Sequence, residues 1–228
     1  VQGEKLERRG CGGASGERGR LVTDRPALAD TVTPVALVNR LPSTGDAIVL
    51  LQEVLPAGSD RLAHTLAVGR RAEFVTEKLG APQASLVVTA AYLHDVGYAH
   101  VAVDTEVHQL DGARYLRRLG YDEDLCRLVA HHTFARIEAR NQGLGAAVEM
   151  EFPLPEGVLA DSLDLVSYCD LTTSHRGKPT TVDARLAGVF ARYEPGHVVE
   201  RTMREVEPFA RALVDRVQAR LNRRARRG

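Results

Sequence analysis

The chain has 228 residues, is 44% hydrophobic, and balances Lys+Arg 30 against Asp+Glu 30. That size and apolar content fit one domain with extensions around a real core, and a net charge of zero gives no global drive toward nucleic acid or a membrane surface. No run approaches the roughly 18 apolar residues of a membrane span, no apolar signal core opens the chain, and Cys11, Cys126 and Cys169 form neither a CxxC pattern nor a disulfide framework, so a soluble cytoplasmic protein is expected. Residues 1–30, rich in Gly, Arg and Glu, are expected to be a disordered N-terminal extension, because they hold too little apolar surface to offset ordering entropy. Residues 31–58 form a short helical lead-in, with a helix predicted over Asp46 to Leu55 behind Ser43 and Thr44 and stopped by Pro56. Ser59 or Asp60 then caps a long helix that runs to Leu79 and ends at Gly80. Pro82 opens the next helix, and Leu86 to Leu93 is apolar nearly all round, which marks the most buried helix of the fold.

After a loop holding Gly97, Tyr98 and His100, amphipathic helices are predicted over His108 to Leu119, Asp122 to Thr133 and Ala135 to Asn141, the last ending in the Gly143 and Gly145 region. Pro153 and Pro155 mark a turn before a helix over Val158 to Leu171. Thr180 or Thr181 caps a helix from Val182 to Tyr193, and a last helix runs from His197 to Asn222 with a kink at Pro208. Residues 59–195 are thus one domain, and 196–228 a C-terminal helix whose basic end, Arg220 to Arg227, complements the helix dipole. Alternating β-branched residues are nowhere sustained, so the fold class is all-α.

The chemistry centres on His94-Asp95, at the end of the apolar helix. Alone, the pair reads as a helix C-terminus with a solvated carboxylate. The apolar run before it buries the pair, and a buried charge needs a partner, which a metal supplies. Asp170 closes a second apolar helix, and His64 lies between Leu62 and Leu66; each alone has a plain structural reading, a cap or a satisfied histidine. Together they offer nitrogen and carboxylate ligands suited to a hard or borderline divalent ion.

The order His64, His94-Asp95, Asp170, all on helices, resembles the HD-domain superfamily of metal-dependent phosphohydrolases. His94-Asp95-Val96-Gly97 is similar to its HDIG variant, and His108 followed by Asp111-Gly112-Ala113 resembles the continuation of that motif; the likeness spans Asp60 to Tyr193. It implies a helical bundle of seven to nine helices around a metal site, with His64, His94, Asp95 and Asp170 as ligands. It also implies a dinuclear site completed by His108 and His132, with Asp95 bridging. His131 could replace His132, and His108 could instead cap its helix. The ion is one or two of Mn, Fe, Mg, Ni, Co or Zn. Tyr98 stands where the cyclic-dinucleotide phosphodiesterases carry lysine, and Thr133-Phe134-Ala135-Arg136 replaces their Gly-Tyr-Pro, which argues against that activity. Gln109 replaces a proline or glycine common after the third histidine.

The resemblance implies hydrolysis of a phosphoester of a nucleotide or small phosphorylated metabolite by metal-activated water, with Asp95 as bridge or proton acceptor. Arg136, four residues after His132, is the expected donor to the developing charge, ahead of Lys178 and Arg176, and Glu138 could hold it. His100 and His175 receive no role, and Tyr98 and Phe134 are candidate substrate contacts. The same six ligands would also serve a dinuclear iron oxygenase acting on a polyol or phosphonate. A non-catalytic regulatory module is the third reading, opposed by the stability cost of idle buried carboxylates. The expected partner is a small phosphorylated substrate, with no membrane or nucleic acid.

Overall fold

A computed structural model describes residues 39–227. The predicted N-terminal extension 1–30, Cys11 and residues 31–38 of the lead-in lie outside the described residues. Within them the chain forms ten α-helices and no strand beyond isolated bridges, so the all-α class holds. The helices are α1 (Thr44–Val54), α2 (Asp60–Leu79), α3 (Ala84–Leu93), α4 (His108–Arg118), α5 (Glu123–His131), α6 (Ala135–Asn141), α7 (Gly145–Glu151), α8 (Gly157–Leu171), α9 (Val182–Phe190) and α10 (Val198–Ala225). No described helix is long and apolar enough to cross a membrane.

Local signals set most boundaries. Ser43 caps α1 in a capping box: its Oγ accepts from the Asp46 amide at 3.1 Å, and Asp46 Oδ2 accepts from the Ser43 amide at 3.1 Å. Ser59 rather than Asp60 caps α2, accepting from the Leu62 amide, and Gly80 ends it in the left-handed region at φ 57°. The start of α3 falls at Ala84, two residues beyond Pro82, because Gln83 adopts φ 57°. Thr181 caps α9, which ends at Phe190 rather than Tyr193. The last helix runs unbroken through Pro208. The sequence reading missed α7, since seven residues with Val148 alone buried carry no readable period.

Helix α3 is the hub. Every residue from Leu86 to Leu93 is buried, because α1, α2, α5 and α8 pack around it. Each large apolar side chain so enclosed contributes about 1.5–3 kcal/mol relative to exposure. Its C-terminal end therefore opens into the interior, where α2, α4, α5 and α8 can all bring side chains. Asp111 fixes the loop that leads into α4: its buried carboxylate accepts from the amides of Asp104, Thr105 and Glu106 and from the Thr105 hydroxyl at 2.8 Å. Long α10 covers the outside through Val206, Ala210, Leu213 and Val217, against α2, α6, α8 and α9.

Candidate metal centre

The six sequence-predicted ligands converge. His64 comes from α2, His94 ends α3, His108 opens α4, His132 follows α5, and Asp170 lies on α8. Two neighbouring residues on a continuous helix would diverge by about 100°. The chain avoids this by leaving the helix at Asp95, whose φ and ψ are −98° and 11°, and entering a 3-10 turn over Val96–Tyr98. Asp95 therefore swings in beside His94.

Its two oxygens face two groups of histidines. Oδ2 lies 3.4 Å from His94 Nε2 and 3.8 Å from His64 Nε2, while Oδ1 lies 3.4 Å from His108 Nε2 and 4.0 Å from His132 Nε2. Asp170 Oδ1 closes the first group, 3.1 Å from His64 Nε2 and 3.9 Å from His94 Nε2. The backbone aims the rings. His64 Nδ1 donates to the Ser174 carbonyl at 2.9 Å, His94 Nδ1 to Ala91 at 2.8 Å, and His132 Nδ1 to Val129 at 2.7 Å. With the proton fixed on Nδ1, each neutral ring turns its Nε2 lone pair inward.

Those lone pairs meet carboxylate oxygens, a repulsive arrangement unless a cation lies between them. His94 Nε2 is the clearest case: it is buried and has no hydrogen-bond partner among the described residues. His64, His94 and Asp170 have ligand atoms close enough to share one ion, and so do His94, Asp95 and His132; the single inward nitrogen of His94 can serve one ion of the two. The donor set of imidazoles and carboxylates suits a divalent transition metal. The residues present fit a metal centre.

The HD domain family profile matches residues 61–186, more than half of the chain. The chain belongs to the HD domain family. That family consists mostly of metal-dependent hydrolases. A ribonuclease Y of Rubrobacter xylanophilus is similar as well, 27% identical over 159 residues, which are 59% of this chain and 30% of that protein. No solved structure matched the chain significantly.

The HD domain's site differs from the sequence reading in the cations that surround these residues. Arg136 does not reach the site; it is exposed and lies 3.5 Å from Glu149. The expectation assumed that α5 continues past His132. Instead Thr133 and Phe134 take φ values of 47° and 64°, which stop the helix and turn the chain. Such non-glycine conformations cost on the order of 1–3 kcal/mol each and are held here by Thr133, whose amide donates to Ser167 Oγ at 2.9 Å and whose hydroxyl donates to Asp170 Oδ2 at 2.6 Å. The same turn decides between the two neighbouring histidines. His132 faces the site, and His131 points away to donate from Nε2 to the Phe152 carbonyl at 2.7 Å.

The guanidiniums that do reach the carboxylates are Arg61, which bonds Asp95 Oδ2, and Arg185, 3.2 Å from Asp170 Oδ1. Arg61 stands three residues before His64 and so on the same face of α2, a signal the sequence offered; Arg185 carried none. Arg61 also lies 3.7 Å from the Tyr98 ring centroid, and Tyr98 stacks on His108 at 4.2 Å. Arg176, 3.8 Å from Asp60, and Lys178 stay outside the cavity wall. The cavity in front of these histidines and carboxylates has a volume of about 310 Å³ and is walled by Arg61, Arg185, Arg192, Tyr193, Gln109 and Glu138. His175 also borders it.

Electrostatics follow burial and pairing. Burial would raise the Asp95 carboxyl, but Arg61 and the surrounding imidazoles outweigh it and hold the group well below the usual range. Burial acts likewise on Asp170 and is outweighed by His64, which in metal-free protein donates to it from Nε2 once the ring is protonated, and by Arg185. Burial pushes His94 down to about 4 and His108 down to about 3. For His64, burial is outweighed by Asp170, and its pKa rises. In metal-free protein, His94 and His108 therefore stay neutral when folded but take protons near their ordinary value of 6.5 when unfolded. The unfolded chain binds more protons below pH 6.5, so stability falls as pH drops from there, with His64 recovering a part. Chelator-treated protein is expected to melt at a lower temperature at pH 5 than at pH 7. A Tm at pH 5 equal to or above that at pH 7 would contradict the depressed imidazoles.

Proposed function

We propose that this HD domain is a metal-dependent phosphohydrolase that cleaves a phosphoester of a nucleotide or small phosphorylated metabolite. One observation carries the reading: inward-facing imidazole nitrogens flank both oxygens of Asp95, beside a cavity walled by the guanidiniums of Arg61, Arg185 and Arg192. His64, His94, Asp95 and Asp170 would hold one divalent ion, and His108 and His132 with Asp95 a second. A bound ion would supply Lewis-acid polarisation of a phosphoryl oxygen and a water of lowered pKa.

The chain's own groups do the rest. Asp95, kept ionised by its neighbours, orients the attacking water by accepting its hydrogen bond. Arg61 and Arg185 stand where negative charge grows on the phosphoryl oxygens and donate to it. Thr133 holds Asp170 in place from the strained turn. Ribonuclease Y, by its name an enzyme of RNA, supports phosphoester chemistry, whereas a cavity of about 310 Å³ is at the small end of ligand sites and favours a small substrate.

Purified protein would be assayed for phosphate release from a panel of nucleotides and phosphorylated metabolites with Mn, Mg, Ni, Co or Fe. Release with at least one ion is expected. Sustained oxygen uptake by the iron form, with no phosphate released, would overturn the reading in favour of an oxygenase. Arg61→Ala is expected to lower kcat/KM by about 10²–10³-fold while metal content stays at the wild-type level. Metal loss in that variant would assign Arg61 to building the site rather than to the reaction.

A further inference from the structure

Gln109 follows a ligand in α4, lines the cavity, and has no ligating role. The residue is 2% exposed, so its side-chain polar atoms need partners within the protein or from a ligand. Its Nε2 donates to Glu138 Oε2 at 3.1 Å, while its Oε1 is buried and accepts no hydrogen bond among the described residues. An ionised carboxylate only accepts, so the amide orientation is set: nitrogen to Glu138, oxygen left over. A buried acceptor without a donor costs about 1–3 kcal/mol, which a donor entering the cavity would remove.

Glu138 lines the same cavity and receives Gln142 Nε2 on its other oxygen at 3.4 Å. Two acceptors, one amide and one carboxylate, thus stand side by side on the wall. A cationic donor would be drawn by Asp60, Asp95, Glu138 and Asp170 and opposed by Arg61, Arg185 and Arg192, and the ions that Asp95 and Asp170 would hold tip this balance against it. Hydroxyl groups donate without adding charge.

We propose that Gln109 and Glu138 form a subsite for hydroxyls of the substrate's alcohol portion, so that the cavity selects phosphate esters carrying vicinal hydroxyls, as in sugar, polyol or ribonucleotide phosphates. The phosphate half of this statement rests on the phosphohydrolase reading; the hydroxyl half is measured separately from turnover. The metal-loaded chain would be titrated with three matched pairs: ribose 5-phosphate against 2-deoxyribose 5-phosphate, AMP against dAMP, and glycerol 3-phosphate against 3-hydroxypropyl phosphate. Kd is read by calorimetry, or KM where the ester turns over.

In at least one pair the hydroxylated member is expected to bind at least about tenfold more tightly, and the pair with the largest ratio names the source. Gln109→Leu brings that ratio to about one, and Glu138→Gln reduces it. Equal or absent binding within all three pairs of the wild type overturns the subsite, as does an undiminished ratio in a Gln109→Leu protein with wild-type Tm. The wild-type comparison does not depend on a variant folding. Selective binding without phosphate release leaves the subsite standing and removes the hydrolase reading; phosphate release without selection does the reverse.

Discussion

Asp95→Ala is expected to abolish both metal retention and turnover, with activity falling by at least about 10³-fold. Asp95 presents one oxygen to each half of the centre: its Oδ2 is directed to His64 and His94, its Oδ1 to His108 and His132. Removing it takes a ligand from each half at once and leaves lone pairs without the anion that balances a divalent charge. The fold should survive, because the partner it strands, Arg61, has a side chain 37% exposed and can return to water. Asp95→Asn keeps the shape, removes the charge and is expected to behave like alanine in metal content. His108→Ala touches one half alone and should retain more metal than either. Elemental analysis of chelator-free preparations, with circular dichroism to check helicity, reads all three. Wild-type metal content in Asp95→Ala would show that the ligand set is misassigned.

Much of this centre was legible in the sequence, and the parts that were not share a physical cause. His94, Asp95 and Asp170 stand out because each lies within or ends an apolar helix, where a charge demands a partner, whereas His64, on a more polar helix, joined them only through their order and the family resemblance. The central position of α3 was readable for the same reason, from an apolar run too continuous for a surface helix. Arg136 failed because a spacing of four is meaningful only while the helix continues, and no sequence rule announces left-handed Thr133 and Phe134. That turn depends on Ser167 and Asp170 more than thirty residues away. Arg185 was invisible on the same grounds, since its contact with Asp170 joins α9 to α8. Local chemistry could be read from the residues, while long-range grouping was legible only where the family resemblance supplied it.

The glycine of His94-Asp95-Val96-Gly97 leads to the second large effect. A Cβ on Gly97 would lie 1.8 Å from the His108 carbonyl oxygen, 2.6 Å from its carbon and 2.7 Å from the Gly112 amide nitrogen. These are backbone atoms, so no side chain can move aside to admit a methyl group. Gly112 faces the same crossing, where its own Cβ would meet the Gly97 nitrogen at 3.0 Å. The 3-10 turn after Asp95 and the start of α4 thus touch main chain to main chain, and this contact sets His108 Nε2 at 3.4 Å from Asp95. Gly97→Ala must push α4 away, carrying His108 from the site. Expected losses are about 2–4 kcal/mol of stability, roughly 5–15 °C in Tm for a domain of this size, together with reduced metal content. Gly188→Ala on α9 is the control: its Cβ would meet nothing within 4 Å, and in a helix alanine is favoured over glycine by about 1 kcal/mol. It should therefore match or exceed the wild-type Tm. A Gly97→Ala protein that keeps both the wild-type Tm and metal content would mean that the turn and α4 are not in backbone contact, and that this glycine has no part in placing His108.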